Sequence, residues 1–450
     1  LSQNHLLELA ADVVNRSLAA GATDAECTIA EGEEFSANVR MRELENLKEA
    51  GSRGAGVRIL IGKKTGASST SDLSPEGIAH LVKSAIELAD VTNDDPHAGL
   101  PDRDELGMLS GDLRLCSPDV PQLDTELKIE TARRAEEAAL AVDPRISNSE
   151  GASFDTHTGR HVFANSRGFA GEYRTSYCSL SVVPVARENE SMERDYWETL
   201  ARGFAGLEAP DKVGRIAAER ALRRLHPVKV DTQRVPVVFE PRVARSLVGE
   251  IFDAVHGMSV YRHQSFLAGK LGEKVASDSV TVIDDGTIPG LFGTSPFDDE
   301  GVPSRRTVVI EKGVLKSYLL NCYAARKLGM KTTGNASRGL TGNAGIGHGN
   351  FFLENGTVTP EQIIGGIRNG FYVTQVAGFG VNIVTGDYSQ GASGLWIRDG
   401  ELAFAVSEVT IAANLKDMLL GLEAVGSDLE FRGSVAAPTL KIGEMTVGGK

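Results

Sequence analysis

The stretch VPVVFEPRVARSLVGEIFDAVHG, residues 235–257, holds two structural periods in succession. Val235–Phe239 is a short apolar run rich in β-branched residues, which reads as a buried strand. Pro241 then stands where a first helical residue needs no N–H, and Val243, Leu247, Ile251, Phe252 and Val255 recur on one helical stripe. Gly257 reads as the stop. A buried strand that feeds an amphipathic helix, inside a chain otherwise full of hairpin signals, predicts an α+β fold.

Downstream the pattern is rich in glycine and strands. Hairpins are predicted across Arg305–Leu320, turning at Lys312-Gly313, and across Gly394–Val406, turning at Asp399-Gly400. Helices are expected at Cys322–Leu328, at Pro360–Asn369 and, longest, at Val409–Leu422. Upstream, Leu6, Ala10, Val13, Val14 and Leu18 predict a helix over 4–20. Strand-like pieces follow at Ala25–Ala30, Phe35–Arg40, Leu44–Glu49, Ala55–Ile61 and Ala67–Ser71, an antiparallel meander. Ser74-Pro75-Glu76 opens a second helix, 94–123 reads as a surface loop, and further helices are expected over 124–142 and about 200–224, with strands between Ile146 and Val185. His226-Pro227 reads as a linker. The expectation is a helix-plus-antiparallel-sheet domain over 1–227 and a strand-rich domain with a few helices over 228–450.

The chain has 450 residues, 41% apolar and 24% charged, enough for two ordinary cores. A net charge of −14 weighs against direct binding to nucleic acid or anionic lipid. Arg133-Arg134 and Arg223-Arg224 sit among acids and read as solvated helix faces. Cys27, Cys116, Cys178 and Cys322 form no C-x-x-C pair, so buried reduced thiols are expected. No apolar run is long enough for a transmembrane helix, and a cytoplasmic location is expected. The first residue is Leu1 rather than Met, which leaves room for a short leader.

Candidate chemistry is sparse. His157 and His161 have the i,i+4 spacing of zinc ligands, but Gly159 lies between them and the flanks alternate, so a hairpin turn is the better reading. Glu250 and His256 lie about 240° apart around one helix and read as a surface pair. Gly345-Ile346-Gly347-His348-Gly349 lacks a following helix N-terminus to cradle phosphate and reads as a flexible loop. Asp298-Asp299-Glu300-Gly301 is either a hard-cation site or, preferred, an acidic turn capped by Arg305 or Arg306.

Several separated motifs then point in one direction. They are Val260-Tyr261-Arg262 with Ser265-Phe266-Leu267, Phe297 through Pro303, Thr333-Gly334-Asn335-Ala336, Gly386-Asp387-Tyr388-Ser389 through Gly394, and Glu408 to Asn414-Leu415. In order and spacing this half resembles the TldD/PmbA family, in particular its PmbA (TldE) branch. The resemblance implies a cytoplasmic peptidase in which a TldD-like subunit holds zinc through His-Glu-x-x-x-His on a helix and a late cysteine. Here Gly249 and Ala254 stand where the histidines would be, only Glu250 remains, and no cysteine follows Cys322. The resemblance therefore implies a chain with no metal or cofactor of its own that handles unfolded peptide beside a zinc-bearing TldD-like partner, with homodimers conceivable when it is alone. Tyr261, Arg262, Asp298, Asp299, Glu300, Glu408 and Asn414 are its candidate cleft or partner residues. The alternatives are a binding module that modulates DNA gyrase and, less favoured, an independent metal hydrolase built from His157, His161 and the 298–300 acids.

Overall fold

The computed structural model describes residues 5–378 and 380–449. Helix α1 (His5–Ala19) buries Leu6, Ala10, Val13 and Val14, one stripe at helical spacing, against a large antiparallel sheet. Helix α2 (Pro75–Val91) starts as its sequence demands, with Pro75 first and the Ser74 hydroxyl accepting from Gly77 N at 3.1 Å. Both cover one end of the sheet. Helices α3 (Thr125–Leu140) and α4 (Pro210–Leu222) cover the other end.

That sheet corrects the meander. The four upstream strand pieces are two long strands, β1 (Asp24–Arg40) and β2 (Glu43–Ile61), paired almost without interruption. Gly32 and Gly51 stay in register rather than turning. The turn falls at Met41-Arg42, whose φ angles of 49° and 69° are positive without a Gly or Asn to favour them. Glu136, fully buried on α3, accepts both backbone N–H groups at 2.9 and 2.7 Å, so a tertiary contact supplies what the local sequence lacks. Strands β3 (Lys64–Thr70), β4 (Ile146–Asn165), β5 (Ala170–Glu188), β6 (Ser191–Arg194) and β7 (Trp197–Ala201) complete seven strands, with β3-β2-β1-β4-β5-β6 in order and β7 beside β5. His157 and His161 lie mid-strand in β4, not in a hairpin turn, because Gly159 pairs with both Gly32 and Thr175. The helix expected from about 200 begins only at Pro210.

Beyond Gln233 the chain builds a six-stranded sheet, a five-stranded sheet and a two-stranded ribbon. Strand β8 (Gln233–Phe239) runs parallel to Asn369–Ala377 and antiparallel to Leu440–Gly448 inside a six-stranded sheet. Helix α5 (Pro241–Val255) buries Val243, Ala244, Leu247, Val248, Ile251 and Val255 in a core shared by both sheets. Gly257 does not end helical structure but opens the short α6 (Gly257–Tyr261). The long helix expected at Val409–Leu422 is helical only in its second half, Leu415–Leu420; its first half belongs to the strand Glu401–Asn414, which pairs with Asp387–Arg398. Val409 and Ile411 are buried while Glu408 and Thr410 face solvent, a period of two that helix-forming residues nearby disguised. The Pro360 helix stops at Gly365. The hairpin turns at Lys312-Gly313 and Asp399-Gly400 stand as expected, with all four residues at positive φ.

The 94–123 segment is more than a surface loop, since Leu100 and Val120 are buried and Leu109 N donates to Pro296 O. Cys116 is exposed, whereas the other three cysteines are buried. Arg133 and Arg134 pair at the surface with Glu130 and Asp211, but Arg223 and Arg224 face the other half of the chain, reaching Glu240 and Gln375. A buried ion cluster also joins the halves: Glu26 on β1 accepts from Arg58 Nε at 2.7 Å and from Arg338, which also donates to Thr28 Oγ1. Burial alone would raise the Glu26 pKa, but Arg338 and Arg58 outweigh it and hold the carboxyl below its ordinary range. Among the described residues no helix is long and apolar enough to cross a membrane.

Candidate functional site

Strand β9 (Val282–Asp285) carries two acids at its end, and all four residues are buried. Asp284 accepts from Asn335 Nδ2 and from Gly349 N, each at 2.7 Å. Burial lifts its pKa to about 7 against the pull of those two donors, so this carboxyl exchanges a proton near neutrality. Asp285 turns instead to Thr287, accepting from its N–H and hydroxyl at 2.9 and 2.6 Å. Gly345–Ile346, read from sequence as a flexible loop, pairs with Ala336–Ser337 and thereby positions His348 and Gly349 beside Asp284.

The 298–300 acids are not an exposed turn, and neither Arg305 nor Arg306 caps them. Asp298 Oδ1 accepts from Glu300 N and Val302 N, and Oδ2 from Ala336 N, all at 2.9 Å. Asp299 accepts from Arg338 N at 2.7 Å and lies 3.3 Å from His161 Nε2. Glu300 accepts from Cys322 N at 2.8 Å, at the start of the helix Cys322–Leu328. Burial raises Asp298 and Glu300 alike, and burial lowers His161 despite Asp299. The three carboxylates thus diverge toward separate partners.

Between these loops and the β4–β5 face lies a cavity of about 420 Å³, with His157, Tyr173, Thr175 and Tyr177 on one wall and Asp284, Asp298, Asp299 and His348 on the other. His157 stacks on Tyr177, and Phe297 meets Tyr173 edge-on at 5.5 Å. Arg202 sits over Phe292 at 4.7 Å and donates to Leu291 O. The cleft is aromatic and acid-bearing, and Asp284 in its wall can offer either a charge or a proton.

The remaining sequence candidates are dispersed. Glu250 is half-buried on α5, its pKa raised by burial and by Asp253, and it makes no bond to His256. The expected Glu250–His256 surface pair is therefore replaced by a half-buried group in which the Phe252 ring meets those of His256 and His348. Tyr261 lies under Lys327 Nζ at 4.7 Å, with Arg262 exposed beside it. Glu408 is exposed and pairs with Lys229 at 2.7 Å. Asn414 caps Lys416 N and donates to Asp387. Of the cleft or partner residues that the family resemblance pointed to, Asp298 and Asp299 line the cleft, with Glu300 behind them, and His157 and His348 join them there. Sequence reading missed Asp284; two acids closing an apolar Val282-Ile283 run and preceding Gly286 were the available signal.

Zinc needs three protein ligands at one point. At 249 there is no side chain, although a Cβ there would meet nothing within 4 Å, and Ala254 is fully buried with its carbonyl taken by Ser265 Oγ. Among the described residues no group of three or more His, Cys, Asp or Glu side chains is placed to hold a metal ion. Neither Gly249 nor Ala254 offers a side-chain ligand for zinc.

Three consecutive parts of the chain match domains of one class of protein: residues 25–89 match PmbA/TldA metallopeptidase domain 1, 118–225 the central domain and 232–449 the C-terminal domain. The metalloprotease PmbA of Escherichia coli is 38% identical over 100% of this chain and 97% of its own length, and the PmbA homolog of Haemophilus influenzae 36% over 99% and 97%. A crystal structure from Bacteroides thetaiotaomicron, designated a candidate modulator of DNA gyrase, superposes with a TM-score of 0.91 at 28% identity and covers 98% of both chains. TldE from Thermococcus kodakarensis shares the fold, with a TM-score of 0.87 at 22% identity over 98% of this chain and 100% of its own. Sequence and fold together define a metallopeptidase-type architecture. The chain belongs to the PmbA/TldD metallopeptidase family.

Proposed function

We propose that this chain is the PmbA/TldE-type subunit of a two-chain metalloprotease, holding peptide while a TldD-like partner supplies zinc and cuts. The observation that carries the reading is α5: in a chain that matches PmbA along its whole length, this helix has Gly249 and Ala254 where the resemblance puts the two zinc histidines and keeps only Glu250. A carboxylate alone cannot lower the pKa of an attacking water toward neutrality, which is what a bound metal contributes. The cleft around Asp284 is the part of this chain suited to the peptide, its aromatic wall taking apolar side chains and its carboxyls a basic group or amine. No cofactor is assigned to this chain, and its site of action is proposed to be the cytoplasm.

The test is peptide cleavage with zinc quantified, for this chain alone and mixed with a TldD-like chain from the same source. The expected result is no zinc and no cleavage alone, with activity in the mixture. Stoichiometric zinc together with cleavage by the isolated chain overturns the proposal. A second reading, a binding module acting on gyrase, draws on the designation of the Bacteroides structure. Copurification with gyrase in place of a TldD-like chain favours it.

A further inference from the structure

Where α4 meets the start of α5, a cavity of about 240 Å³ opens between the two halves of the chain, and nothing in the peptidase reading uses it. Five arginines line it, Arg220 from α4 and Arg223 from its C-cap, Arg242 and Arg245 from α5, and Arg432, against two carboxylates, Glu240 and Glu430. Both carboxylates are already engaged. Glu240 accepts from Arg220 at 2.7 and 3.2 Å, and Glu430 from Arg432 at 2.8 and 3.0 Å.

The other three guanidiniums are left short. Arg223 reaches Glu240 only at 3.5 Å, and Arg245 reaches Glu198 only at 3.9 Å. Arg242 has no carboxylate: it donates to the Tyr196 carbonyl at 2.9 Å and lies 3.8 Å over the Tyr196 ring. Arg223 and Arg242 each keep a buried Nε–H with no acceptor, a costly condition unless a ligand completes it. Burial and the neighbouring Arg220 lower the Arg223 pKa against the pull of Glu240 and Asp195, the latter 3.3 Å from Arg220. The N-terminus of the 15-residue α5 adds its partial positive charge, and Glu240, its N-cap, makes no side-chain cap bond. Trp197 and Val435 provide an apolar wall.

We propose that this cavity binds an oxyanion, a carboxylate or phosphate group carried on a small apolar body, which bridges α4 and α5 across the junction of the two halves. Guanidinium groups suit both chemistries because their paired N–H donors match two oxygens. The cavity has room for about eight waters' worth of ligand at roughly 30 Å³ each, more than a bare phosphate occupies. The proposal is independent of the subunit reading, since zinc content and cleavage do not report on it.

The test uses the full chain and its tryptophan fluorescence, Trp197 being in the cavity wall and Trp396 buried beside Phe371 in the other sheet. The probes are inorganic phosphate, the tripeptide Ala-Ala-Phe as free acid, and the same tripeptide as its C-terminal amide, titrated at constant ionic strength. A saturable response to the free acid but not the amide assigns a peptide C-terminus; one to phosphate alone assigns a phosphate group. Arg242→Gln and Arg223→Gln are each expected to weaken the response about tenfold, as loss of a charge-assisted bond requires. No saturable response to any probe, equal responses to acid and amide, or unchanged affinity in both folded variants overturns the proposal. Should the variants fail to fold, the three-probe comparison on the unaltered chain decides the question.

Discussion

Asp284 is the residue whose titration the protein must feel. Its folded pKa of about 7 lies above the ordinary carboxyl value, so the native state binds more protons than the unfolded one between roughly pH 4 and pH 7. The sign follows: stability attributable to this group is greatest below the unfolded pKa and is lost as pH rises through the folded pKa, by about 4 kcal/mol in all. Asp284→Asn removes that dependence. Urea midpoints for the two proteins are expected to converge or cross between pH 5 and pH 8, and a constant offset across that range contradicts the assignment. Glu136 makes the opposite case, a side chain whose value is geometric. Glu136→Ala leaves the Met41 and Arg42 N–H groups without their acceptor and is expected to cost about 1–3 kcal/mol by chemical denaturation. Converting Met41-Arg42 to Asn-Gly, which suits the positive φ angles, should recover part of that loss.

At the scale of elements, close approach decides what a strand tolerates. A Cβ at Gly56 on β2 would stand 1.6 Å from the Leu340 carbonyl oxygen, backbone against backbone, so the segment around Leu340 lies directly on the sheet. Gly56→Ala should lift that segment, and faster cleavage within 337–344 by a nonspecific protease is the expected readout. The same elements show what local sequence can reveal. The strand–Pro–helix passage at 235–255, the Ser74 cap and the Gly-containing hairpin turns were legible because each rests on contacts within a few residues. The Met41-Arg42 turn was not, because its stabilising group lies 95 residues away. The strand at Val409–Asn414 was mistaken for helix because Ala412 and Ala413 favour helix, while the pairing partners that override them lie at Asp387–Ala392 and Thr446–Gly448. Of the site, the Phe297–Pro303 and Thr333–Ala336 motifs were visible, but not that Asn335 holds Asp284 and Ala336 holds Asp298.

For the whole molecule, the cluster of Glu26, Arg58 and Arg338 is, with the Arg220–Glu240 pair, a buried charged contact that fixes how the halves sit together. Glu26 is fully buried, and the side chains of Arg58 and Arg338 are 6% and 3% exposed, so none can fall back on solvent. Glu26→Gln leaves two buried cations without their counter-charge and is expected to destabilise by about 3–5 kcal/mol. Replacing Arg58 and Arg338 by methionine in the same background should recover part of that, and a double-mutant cycle on thermal unfolding measures the coupling. The cluster has a further consequence for how the protein is made. Glu26 leaves the ribosome 312 residues ahead of Arg338, about 15–60 s earlier at roughly 5–20 residues per second. During that interval the nascent sheet can form its hairpins, but the surface destined for Arg338 must stay hydrated. The first half therefore waits on the ribosome as a structure with one open face, at which Arg58 alone balances Glu26, and chaperone contact during synthesis should concentrate there until residue 338 has emerged.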